Sequence, residues 1–182
     1  MKWLVAFVVI SSLSLTGCSV FSTQDPRNNG QHWQDQKIEM DIAGVAHTRK
    51  YTKQLSVDSV ALDGTVLLVG QATSQAFKQA FVDQIRNITG VDRIYNQIQV
   101  RPLLTMASIS GDAWLTTKVK SQLIASKQLT NVVIKVITED KRVFLLGYVA
   151  PEQAAIATNI ARNVSGVEHV ITLFEKPQRS GY

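Results

Sequence analysis

Few side chains in this sequence are of a type and spacing that could do chemistry. Cys18 is the only cysteine in 182 residues, so no intramolecular disulfide can form. His32, His47 and His169 share no metal-ligand spacing with one another or with that thiol, and no metal centre is expected. There is no Gly-x-Ser-x-Gly, no phosphate loop and no dinucleotide fingerprint, and no nucleophile stands beside a base. Neither catalysis nor a cofactor is expected. The adjacent acids Glu139 and Asp140 fall in a hairpin turn and are expected to be solvated. Two features remain. One is a thiol at the end of an apolar run, suited to covalent lipid attachment; the other is an indole among lysines, suited to a bilayer interface.

The thiol closes a pattern. After Met1-Lys2-Trp3 comes the apolar run 4–15, then Leu15-Thr16-Gly17-Cys18. A short positive start, about a dozen apolar residues and a small-residue cleavage site form an export signal, here residues 1–17. The run is shorter than the roughly 20 residues needed to span a bilayer. The tetrad 15–18 resembles the bacterial lipobox, in which the cysteine takes a diacylglycerol and becomes the mature N-terminus. Several acyl chains at about 0.8 kcal/mol per buried CH₂ make such attachment effectively permanent. In that lipoprotein pattern an Asp after the cysteine retains the protein in the inner membrane. Ser19 stands there instead, implying a lipid-anchored protein of the outer membrane facing the periplasm. Residues 18–34, polar and rich in Asn and Gln, read as a tether.

The elements that must position the indole are written twice. Gly64-Thr-Val-Leu-Leu-Val-Gly70 matches Lys141-Arg-Val-Phe-Leu-Leu-Gly147, and Ile85-Arg-Asn-Ile-Thr-Gly-Val91 matches Ala161-Arg-Asn-Val-Ser-Gly-Val167. Upstream, Asp35, Ile38 and Ile42 fall on Asp112, Leu115 and Val119. In each copy the Asp is placed as an N-cap before an apolar stripe of helical period. Two strand-like runs follow, joined by Asp63-Gly64 in copy one and Glu139-Asp140-Lys141 in copy two. A second helix is expected over 74–88 and 151–164, with Pro151 in its first turn and Gly90 or Gly166 at its close. A last strand covers 91–100 or 167–174. The order α-β-β-α-β, with a right-handed crossover, places both helices on one face of a three-stranded mixed sheet, an α+β fold. The repeats occupy residues 35–100 and 112–175, with a linker at 101–111 and a tail at 176–182. A unit of about 65 residues buries only about 60% of its surface and is marginal alone, so the copies are expected to dock.

This unit, with Val-x-Leu-x-Gly on its second strand and Gly-Val opening the last, resembles the BON domain. The segment Asp112-Ala-Trp-Leu-Thr-Thr-Lys-Val-Lys-Ser-Gln-Leu123 is the most specific part of the likeness. The resemblance implies a non-enzymatic protein that binds anionic phospholipid, gathers at cell-division sites and supports envelope integrity.

Charge and helical phase locate the binding face. Between residues 18 and 100, basic and acidic residues number eight each, whereas 101–182 carries ten basic against six acidic, which suits an anionic surface. On a wheel with Leu115 at zero, Val119 and Leu123 fall at about 40° and 80°, while Trp114, Lys118 and Ser121 fall at about 260°, 300° and 240°. Lys120 lies on a flank at about 140°. The equivalent face of copy one carries Lys37, Asp41, Gly44 and Thr48, with no aromatic. The resemblance assigns this helix of copy two to lipid contact, giving Trp114, Leu115, Lys118, Lys120 and Ser121 as the site. A second class of reading makes the chain a periplasmic adaptor for the outer-membrane protein assembly machinery, with Trp114 as a hot spot. The export signal argues against nucleic acid as a partner.

Overall fold

A computed structural model describes residues 29–176, so Cys18, the expected export signal, most of the expected tether and all but the first residue of the expected tail lie outside the described residues. The first repeat runs α1 (Asn29–Ala46), β1 (Leu55–Leu62), β2 (Thr65–Ala72), α2 (Gln75–Ile85) and β3 (Arg93–Val100). The second repeats that order as α3 (Met106–Ala125), β4 (Val133–Glu139), β5 (Arg142–Tyr148), α4 (Pro151–Arg162) and β6 (His169–Glu175). The sheets are ordered β1-β2-β3 and β4-β5-β6. The central strand of each is antiparallel to the strand before it and parallel to the strand after. The chain is thus α+β, two tandem α-β-β-α-β units with three-stranded mixed sheets.

Strand alternation explains how the layers stack. In the first sheet Leu55, Ala61, Val66, Leu68 and Ile98 face the helices and join Ile38, Ile42, Phe81 and Ile85 in one core. In the second, Val136, Val143 and Leu145 join Leu115, Val119, Leu123, Ala157 and Ala161. The alternate residues form a third core between the sheets: Leu62, Leu67 and Val69 from one, Ile137, Phe144 and Leu146 from the other. Each central strand is apolar on both sides because both are covered. The layer order is helix, sheet, sheet, helix. Arg93–Glu175 at 2.5 Å and Lys135–Glu39 at 3.4 Å tie the units across that seam. These pairs are partly exposed and contribute little beside the apolar layer.

The N-cap expectation for Asp35 and Asp112 is overturned. Each helix begins six residues earlier, and Thr105 caps α3 by accepting from the Ser108 backbone N–H. Residues 106–111, read as linker, are helical, as is the end of the presumed tether. The two aspartates lie inside their helices and are buried. Asp112 reaches the β4–β5 turn, where Oδ2 accepts from Asp140 N at 2.7 Å and Oδ1 from Lys141 N at 2.9 Å. Asp35 Oδ1 accepts from Asp63 N at 2.8 Å in the β1–β2 turn. Both turns hold their two central residues at positive φ, as two-residue primed hairpins require. An Asp ahead of an apolar stripe looks like a cap in sequence, but here it clamps a hairpin from within the helix.

Glu139 is a second correction. Its side chain points into the seam between the sheets and the residue is only 7% exposed, so it is not solvated. Burial, reinforced by Asp112 and Asp58 and opposed by Arg101 and Arg142, pushes its carboxyl up to about 7. Its Oε1 has no hydrogen-bond partner among the described residues. Nearby, Arg101 Nη1 holds Asp140 Oδ2 at 2.7 Å and so joins the end of the first repeat to the turn of the second. A carboxyl whose folded value is raised stabilises most below its unfolded value, here 4.5, and loses that contribution as pH rises toward 7. Glu139→Gln is therefore expected to match the parent chain near pH 4.5. At pH 8 it should exceed the parent by about 1–2 kcal/mol, allowing for solvent screening. Urea midpoints at the two pH values measure this.

Candidate functional site

The outward face of α3 presents Trp114. Its buried stripe, Leu115, Val119 and Leu123, locks the helix onto the second core, and Thr116 Oγ1 donates to Thr138 Oγ1 of β4 at 2.8 Å. With those positions fixed, Trp114 turns outward and is 64% exposed. It edges a shallow groove of about 430 Å³ bounded by Gly111 and Lys118 of α3, the Asp140–Lys141 turn and Gly166. Lys118 Nζ donates to the Ser165 carbonyl at 2.6 Å, which holds the ammonium beside the groove and leaves its charge in place. Lys141 pairs with Glu168 at 2.8 Å on the exposed rim.

The five residues assigned from sequence do not all meet. Trp114, Lys118 and Ser121 share the outward side of α3, as the wheel requires. Leu115 is 4% exposed and packs in the core, so it holds the helix and offers no surface for lipid; that assignment is withdrawn. Lys120 lies on the flank toward the first repeat. It is exposed there; desolvation and the charge of Lys135 push its ammonium down while Glu39 opposes them, and it does not line the groove beside Trp114.

One residue of the same kind escaped the sequence reading. Because α1 begins at Asn29, Trp33 is helical, and it is 66% exposed together with Met40 at 66%. The first repeat therefore does carry an aromatic on its outer helix. The repeat itself held the signal, since the 77-residue shift that pairs Asp35 with Asp112 also pairs Asn29 with Met106. No group of acids, histidines or cysteines able to hold a metal occurs among the described residues. No helix among them is long and apolar enough to cross a membrane.

The BON domain model matches residues 34–102 and 111–175, and the chain belongs to that family. It is similar to the outer membrane lipoprotein DolP of Haemophilus influenzae, with 36% identity over 152 residues covering 83% of this chain and 79% of that protein. It is likewise similar to a 21 kDa hemolysin of Actinobacillus pleuropneumoniae, 35% identical over 155 residues, 85% of this chain and 80% of the other. Among solved structures, CdsD, a structural protein of the type III secretion system of Chlamydia trachomatis, aligns with a TM-score of 0.30 at 11% identity. That alignment covers 76% of this chain and 61% of CdsD. At that level the likeness carries no functional argument.

Proposed function

We propose that this protein is an outer-membrane lipoprotein, held by lipid on Cys18, whose second BON domain binds anionic phospholipid through α3 and supports envelope integrity at division sites without catalysis. The observation that carries this reading is an exposed indole beside an ammonium on a helix fixed from below by a packed core. An indole favours the headgroup boundary, and each lysine near an anionic surface contributes about 1 kcal/mol. Ser121 is exposed two turns further along the same outward side of α3. Weak contact suffices, because the anchor keeps the domain at high local concentration. The name of the Haemophilus relative supports the lipoprotein and outer-membrane parts of this reading.

The test uses the chain from residue 19 onward, without lipid, titrated with phosphatidylglycerol vesicles. Trp114→Glu is expected to weaken binding by about tenfold or more, and Lys118→Glu by a few-fold. Both positions lie outside the cores, so the folded content should not change. Equal vesicle binding by parent and Trp114→Glu chains would remove the lipid reading and leave the adaptor reading in its place.

A further inference from the structure

Trp33, Lys37 and Met40 recur at i, i+4 and i+7 along α1 and so share one outward stripe. Both large side chains are about two-thirds exposed. Because the layers run helix, sheet, sheet, helix, this stripe and the Trp114 face lie on opposite sides of the molecule. Sheets about 10 Å apart, each backed by a helix about 10 Å across, put the two faces about 30 Å from one another. A flat bilayer cannot receive both at once.

We infer that the Trp33–Met40 face of α1 is a second seat for the anchoring bilayer, used in alternation with α3. The inference rests on the proposed anchor at Cys18. Ten residues separate Cys18 from Asn29, where α1 begins, and reach at most about 40 Å. That length lets either face come down on the membrane, and it makes Trp33 the exposed indole nearer the anchor along the chain. The two seats differ in charge. Lys37 Nζ is paired with Asp41 Oδ2 at 2.7 Å, so the α1 stripe is electrically neutral and indifferent to headgroup charge. Lys118 is bonded to a neutral carbonyl, so the α3 face retains its attraction for anions. Membrane composition then decides which side faces down: α1 on zwitterionic lipid, α3 where anionic lipid collects.

The chain makes the test direct, because Trp33 and Trp114 are the only tryptophans after Cys18. The lipidated mature chain is reconstituted in vesicles carrying brominated acyl chains, as Trp114→Phe (Trp33 reporting) and as Trp33→Phe (Trp114 reporting). On phosphatidylcholine alone, Trp33 is expected to lose about half its emission and Trp114 little. With about 30% phosphatidylglycerol the pattern should reverse. Unquenched Trp33 on both compositions, or quenching of both residues together on one, overturns the alternation. A Trp114 signal indifferent to phosphatidylglycerol, with Trp33 quenched throughout, instead overturns the α3 reading and leaves the α1 seat standing.

Discussion

Gly70→Ala is expected to cost about 3–5 kcal/mol and to leave much of the chain unfolded at ambient temperature. Gly70 sits in β2 at φ 135°, a region that side-chain-bearing residues rarely enter. Any Cβ there would fall well inside contact distance of the Ser56 carbonyl of β1, which is backbone and cannot swing aside. Strain and overlap therefore add. Gly147 of β5 meets the Val133 carbonyl in the same way, although its φ is not positive, so Gly147→Ala should cost somewhat less. The glycine of the Val-x-Leu-x-Gly pattern thus marks where two strands approach too closely for a side chain. Gly44 in α1 has open space around its Cα, so Gly44→Ala serves as the control and should be neutral or stabilising by up to about 1 kcal/mol. Urea unfolding followed by far-ultraviolet circular dichroism ranks the three, and a Gly70→Ala chain as stable as Gly44→Ala would refute the account.

Asp112→Ala should cost about 3–5 kcal/mol. The carboxylate accepts from two turn N–H groups, and charge-assisted bonds of this kind contribute about 1.5–3 kcal/mol each. Truncation strips both donors of their partner in a turn whose central residues, Asp140 and Lys141, are held at φ 51° and 58°. Lys141 takes a left-handed conformation without the glycine that the first repeat places at Gly64. Lys141→Gly in the Asp112→Ala background should therefore recover about 1 kcal/mol. Asp35→Ala is expected to cost less than Asp112→Ala, since Gly64 already relieves its turn. Thermal unfolding of the four chains measures the set; a Lys141→Gly change that recovers nothing would mean the clamp does not restrain the turn.

Much of this architecture was legible because its signals are local and repeated. The duplicated Gly–Val segments, the strand alternation and the Asp63-Gly64 turn depend on neighbours in sequence, and they gave the element order directly. The outward phase of Trp114 followed from Leu115, Val119 and Leu123 being buried, since a helix has one phase. What escaped depends on tertiary contacts. Asp112 ahead of an apolar stripe satisfies the rule for a cap, and only the arrival of the β4–β5 turn above it reveals an acceptor. Glu139 at a hairpin looks like a solvated acid until the sheet of the first repeat covers it. The first turns of α1 contain Gln, His and Asn with no apolar period, so nothing local marks them as helix or sets Trp33 apart from a tether. Leu115 stands next to Trp114 in sequence, but its phase on the wheel points inward and it is buried.

The shared inner layer couples the two modules' tolerance of substitution. Leu67 and Phe144 belong to one layer that both modules build, so a substitution in that layer is answerable to both. The outer surfaces of the first helices bear no such joint obligation. Exterior substitutions in one half therefore leave the other undisturbed, whereas a change of volume in the shared layer is felt by both sheets.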